Sequence, residues 1–128
     1  MKIENIKFKA KRLDNQEWTF GDFMNITDKE VVIVPLDEFL GIDVNSSTVC
    51  QFTGAQDCNG TPIYEHDLLR NYEETSSIYE VVWNQRNTSF SLVNTESPVL
   101  YPNTLGEVLR NSHLKVIGNK FDKKGGKQ

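Results

Sequence analysis

The sequence predicts a mainly β chain with a single short helix. Three observations carry this: apolar residues recur with period two in several stretches, turn formers punctuate them, and one segment alone joins a helix-start signal to helical apolar spacing. In the first stretch Ile6, Phe8 and Ala10 alternate with Lys7, Lys9 and Lys11. Alternation puts apolar side chains on one strand face and ammonium groups on the other, as expected of a solvent-facing or edge strand. Leu13-Asp14-Asn15-Gln16 supplies turn residues. Glu17-Trp18-Thr19-Phe20 then resumes the alternation with Trp18 and Phe20 on one face, so the two stretches read as a hairpin. A third strand is expected at Glu30–Val34, after the polar turn Asn25–Lys29.

Thr53–Gly60 reads as a turn region whose strongest element is Asn59-Gly60, since both residues tolerate the positive φ that a type I′ turn requires. Pro62 fixes the chain as it leaves, and Ile63-Tyr64 starts an extended segment. Asp67 precedes Leu68-Leu69, where a short carboxylate can accept backbone N–H bonds and pin a bend. The next hairpin pairs Ile78–Trp83 with Ser89–Val93 across the polar loop Asn84–Thr88, with Tyr79, Val81 and Trp83 on one face. Thr104-Leu105-Gly106-Glu107 has the spacing of a capping box, and Leu105, Val108 and Leu109 share a face. Gly106 weakens this helix and Asn111 can end it, so about two turns are expected. Leu114–Asn119 is the last strand, and Lys123–Gln128 reads as a solvated tail.

The chain of 128 residues, 38% hydrophobic and 25% charged with mean hydropathy −0.49, suits one soluble domain or a compact domain with an extra β segment. Its longest apolar run, Val31–Val34, stops at Pro35, far short of a membrane span. The opening MKIENIKFKAK has no continuous apolar region of the kind that directs secretion, so a cytoplasmic location is expected. Cys50 and Cys58 flank a turn that could bring them into bridging range, but in that compartment two reduced thiols are the expectation. They lack the Cys-x-x-Cys spacing of a zinc or redox site. Charge is uneven: residues 1–12 carry five basic side chains against Glu4, and residues 113–128 five lysines against Asp122, while sixteen acidic residues face four basic ones between them. Two basic termini thus flank an acidic body.

The central stretch reads Gln51-Phe52-Thr53-Gly54, Asp57, Asn59-Gly60, Ile63-Tyr64-Glu65 and Asp67-Leu68. In that order it closely resembles the core motif of the YopX family of phage and prophage proteins. Ile6–Ala10, Glu80–Trp83 and Val116–Asn119 extend the resemblance over nearly the whole chain. This sequence departs from the family in having His66 and Cys50 at positions usually held by glycine, which permits conformations that His or Cys adopts less readily. The resemblance implies an N-terminal β segment over residues 1–45 and a small SH3-like β-barrel of the YopX type, with one short helix, over residues 46–121. A flexible basic tail over residues 122–128 completes the expected organisation. The family implies no particular biochemical activity.

The most suggestive chemical cluster is Glu65-His66-Asp67, which could offer a general base or metal ligands. In an extended strand, however, the two carboxylates point away from the imidazole, and His113 is the one other histidine. A structural role is therefore expected. Trp18, Phe20, Tyr79, Trp83 and Phe90 could stack on bases, but at strand spacing in a small domain they read as core. No phosphate loop, nucleophile elbow or His-Glu-x-x-His motif is present. The sequence thus points to a non-enzymatic structural or interaction module with no catalytic, cofactor or metal site. Its expected partner is a second copy of itself or a phage or host protein in the bacterial cytoplasm. The alternative is a nucleic-acid accessory protein working through the basic termini, with Lys7, Lys9 and Lys11 as contacts, although the acidic middle would repel phosphates.

Overall fold

A computed structural model describes residues 2–27, 30–35, 41–71, 77–97 and 99–122. The expected tail at 123–128 and part of the expected turn, residues 28–29, lie outside them. The protein is mainly β: among the described residues 55% are in strands and 11% are helical, with two antiparallel sheets and one short α-helix. No closed barrel is found among the described residues. The chain forms two compact units, residues 1–52 and 53–128.

The first unit holds β1 (Phe8–Lys11), β2 (Trp18–Asn25), β3 (Val31–Val34), β4 (Ile42–Val44) and the start of β5 (Cys50–Gln56). They pair in the order β4-β3-β2-β1-β5. Ala10, Val31, Ile33 and Val44 form the core, with Phe8 and Val49 packed against it. After β4, Asn45 caps a short 3-10 turn by accepting the Ser47 N–H at 3.1 Å. That turn carries Thr48, whose hydroxyl oxygen accepts the Lys11 N–H at 2.9 Å and so ties the turn back to β1.

One expectation is corrected here. The lysine strand is not an edge: β1 lies between β2 and β5. Trp18 and Phe20 share one face of β2, as expected, and it is the lysine face: Lys9 stands opposite Phe20 and Lys11 opposite Trp18, while Ala10 faces Thr19. Period two tells which residues of one strand share a face, but not what the neighbouring strands lay beside them. Here β2 lays the Trp18 ring against both ammonium groups, and Lys9 and Lys11 are only 9% and 7% exposed.

The second unit takes β5 on to Gln56, past the point where a turn is expected, and β6 (Pro62–Tyr64) follows it in the same sheet. A separate sheet runs β10-β9-β8-β7-β11, made from β7 (Asp67–Asn71), β8 (Ile78–Asn84), β9 (Ser89–Asn94), β10 (Leu100–Thr104) and β11 (Leu114–Asn119). The helix α1 (Leu105–Asn111) forms where expected. Both halves of its capping box are present: the Thr104 N–H donates to Glu107 Oε1 at 2.9 Å, and the Glu107 N–H to Thr104 Oγ1 at 3.3 Å. α1 lays Leu105 and Val108 onto Leu69, Val81, Leu92 and Leu114.

Candidate interaction surface

The turn between β5 and β6 is not type I′. Of Asn59 and Gly60 only Gly60 has positive φ, at 83°. The Gly60 N–H donates to the Asp57 carbonyl at 3.0 Å and the Asp57 N–H to the Thr61 carbonyl at 2.9 Å. This is the three-residue hairpin in which a glycine in the left-handed region forms a bulge after the turn. Asp57 organises it. Its Oδ1 accepts the Asn59 and Thr61 N–H groups at 2.8 and 2.9 Å, and its Oδ2 accepts the Val116 N–H of β11, also at 2.9 Å. Burial raises the Asp57 carboxyl pKa, but the N–H donors of Val116, Thr61 and Asn59 outweigh it and leave the group below its ordinary value.

Asp67 is also structural and only 1% exposed. It accepts the Tyr64 N–H at 2.8 Å, the expected bend-pinning bond, and the Asn119 side-chain amide at 2.8 Å. That bend separates the suspected trio. Asp67 turns inward, while His66 Nδ1 donates to Glu80 Oε2 at 2.7 Å, and Glu65 Oε2 lies 3.8 Å from the other ring nitrogen. The imidazole stands edge-on to Phe121, with centroids 5.3 Å apart. His113 is exposed before β11. Among the described residues no His, Cys, Asp and Glu side chains are grouped to hold a metal ion.

His66 has φ 70°, the left-handed region that glycine adopts freely, whereas Cys50 is extended in β5, buried and free of a disulfide. Cys58 is exposed and also free. The departure from the family pattern at position 66 is therefore one the backbone registers. His66→Ala removes the Glu80 bond and keeps the strain, so it should lower stability by about 1–2 kcal/mol. His66→Gly relieves the strain and should fall roughly 1 kcal/mol above the Ala variant. Urea denaturation of the pair checks the order; equal midpoints contradict it.

The aromatic residues divide. Tyr79 is buried and Phe90 half-buried, in line with a core role, but Phe20 and Trp83 are 50% and 44% exposed. Trp83 packs edge-on against Phe90 with centroids 5.1 Å apart. On the first unit's basic face, Lys9 and Lys11 Nζ lie 4.5 and 4.9 Å from the Trp18 ring centre, and Lys7 Nζ lies 4.5 Å from that of Phe52. These ammonium groups sit against aromatic faces.

In the second unit's five-stranded sheet one edge strand is bonded to its surroundings, and the other is bonded on one side only among the described residues. At β11 the Val116 N–H goes to Asp57, the Asn119 N–H to Asp122 Oδ2 at 2.9 Å, and the Leu114 carbonyl accepts the Cys58 N–H at 3.4 Å. At the other end β10 pairs only with β9 among the described residues. Leu100 and Tyr101 of β10 are exposed by 44% and 38%, and Val99, just before it, by 69%. Sequence reasoning missed this strand, because Tyr-Pro-Asn within Leu100–Thr104 reads as loop. Beside it a hollow of about 310 Å³ opens between the sheet and α1.

Two antiparallel sheets, one capped helix and carboxylates committed to backbone N–H groups define a small β protein held together by turn anchors. The chain belongs to the YopX family, whose model, described as YopX protein, matches residues 2–124. No curated protein matches it. No helix among the described residues is long and apolar enough to cross a membrane.

Proposed function

We propose that this member of the YopX family is a non-enzymatic protein-interaction module, encoded by a phage or prophage and acting in the bacterial cytoplasm through the β10 edge. The observation that carries this reading is the exposed apolar run Val99-Leu100-Tyr101, which leads into and opens β10, the terminal strand of its sheet among the described residues. An exposed strand with open backbone groups is a template for pairing with another chain unless it is covered or blunted. Asp57 and Asp67, two of the three carboxylates of the central motif, serve the fold, which further supports a binding role over catalysis. The nucleic-acid reading draws less support. Of its two basic termini, the N-terminal one places Lys7, Lys9 and Lys11 over Phe52 and Trp18, with Lys9 and Lys11 more than nine-tenths buried.

Nuclease-treated affinity purification from cells carrying the gene tests the proposal. The wild-type chain should recover a protein that the double variant Val99→Lys, Leu100→Lys recovers at least tenfold less well, because the two charges block strand pairing. Equal recovery by both chains, or nucleic acid in place of protein, would overturn it.

A further inference from the structure

We propose that Asn59 is a site of spontaneous deamidation, held back by the turn that Asp57 builds, and that conversion there frees this turn from its anchor on β11. Asn59 is the chain's one asparagine followed by glycine, and both residues are exposed at the tip of the β5–β6 hairpin. Glycine has no side chain to shield its amide nitrogen from the neighbouring carboxamide carbon. Even an added Cβ at Gly60 would meet nothing closer than Gln56 Oε1 at 3.8 Å, so the approach is open. Among the described residues the Asn59 carboxamide makes no hydrogen bond; its backbone N–H alone is engaged, by Asp57 Oδ1. In the reaction solvent hydroxide removes the Gly60 amide proton and the nitrogen bonds to Asn59 Cγ. The Cγ–Nδ2 bond breaks, and Nδ2 leaves as ammonia with a proton from water. Water then opens the cyclic imide, at Cγ to give aspartate or at the Asn59 backbone carbonyl to give isoaspartate. Nothing is oxidised or reduced.

The same turn sets both the brake and the consequence. The Gly60 N–H donates to the Asp57 carbonyl at 3.0 Å, so attack waits on a local opening. The Asp57 carboxylate limits such openings by holding the Asn59 and Thr61 N–H groups on one oxygen. Isoaspartate routes the main chain through its Cβ and so places an extra carbon between those two amides. One oxygen can then no longer hold both. The other oxygen of that carboxylate accepts the Val116 N–H at 2.9 Å, so a disturbed turn loosens its bond to β11.

The test incubates the full chain at neutral pH, with peptide mass spectrometry reading conversion and two-dimensional NMR reading the amide exchange of Val116. Asn59 should convert before any other asparagine. In the isoaspartate form, separated by chromatography, Val116 should exchange at least about fivefold faster than in the fresh chain, the effect of losing one hydrogen bond. Asn59→Gln keeps the backbone N–H but closes the imide far more slowly, so Val116 should stay protected through the same incubation. Asp57→Ala should convert at least about fivefold faster than the parent. Where that variant does not fold, the parent in rising sub-denaturing urea gives the same readout, and its conversion should accelerate. Conversion at Asn59 no faster than at exposed Asn87 would overturn the proposal. So would a rate that neither urea nor a folded Asp57→Ala chain changes, or unaltered Val116 exchange in the isoaspartate form.

Discussion

Replacing Gly21 with alanine is expected to destabilise the first unit by about 3 kcal/mol or more. β2 and β3 approach so closely there that an added Cβ would overlap the Val34 carbonyl and lie 2.9 Å from Pro35 Cα. Both neighbours are backbone, so no rotamer change relieves the clash. The β2–β3 pairing, which sets Asp22 against Val34 and Phe23 against Ile33, would have to open. Buried Val31 and Ile33 depend on that pairing. Gly106→Ala is the control. An added Cβ there meets nothing within 4 Å, and the residue lies inside α1, so alanine should be neutral or stabilising by up to about 1 kcal/mol. Chemical denaturation of both variants checks the contrast, and a Gly21→Ala chain as stable as the parent would contradict the close approach.

Asp57→Ala should lower the stability of the second unit by roughly 3 kcal/mol. One small carboxylate accepts three backbone N–H groups, each such bond contributes about 1 kcal/mol net, and unpaired buried donors add a further penalty. The loss is large beside the ~5–15 kcal/mol that holds a domain together. It should also be non-local, because one of the three donors is Val116, fifty-nine residues away. The sign of the pH dependence follows from the depressed carboxyl. Its stabilisation is fully present above the ordinary value of 3.8 and is lost as pH falls through the lower folded value. Asp57→Ala should therefore be less stable than the parent at neutral pH and converge on it in acid. A constant gap across that range would contradict the role given to the charge.

Most elements of the second unit are legible in the sequence, because local signals fix them. The Thr104 capping box, the β8–β9 hairpin and the bounds of β11 are each set by a handful of neighbouring residues. The bend at Asp67 is readable for the same reason, since a short carboxylate beside a turn bonds locally. The non-local features are not legible. Lysines on alternate positions of a strand read as solvent-facing until β2 and β5 bring Trp18 and Phe52 over them. Asn-Gly favours type I′, but Asp57, two residues earlier, captures the Asn59 and Thr61 amides and selects the turn with a bulge. The same carboxylate's hold on Val116 spans too much chain to be read from either end.

The open edge is hidden differently. Pro102 makes β10 look like a loop, and proline in a strand is tolerated mainly at edges. The residue that conceals the strand in the sequence thus also limits how many bonds a partner can make to it. The sealed β11 edge and the open β10 edge together favour an interaction on one side of one sheet.

Amide hydrogen exchange of the full chain, alone and with the captured partner, tests that placement most directly. Exchange should slow on partner binding at Val99, Leu100 and Tyr101, with no change at residues 7–11. Protection confined to residues 7–11, with β10 exchanging as in the free protein, would contradict it and return the function to the basic strand.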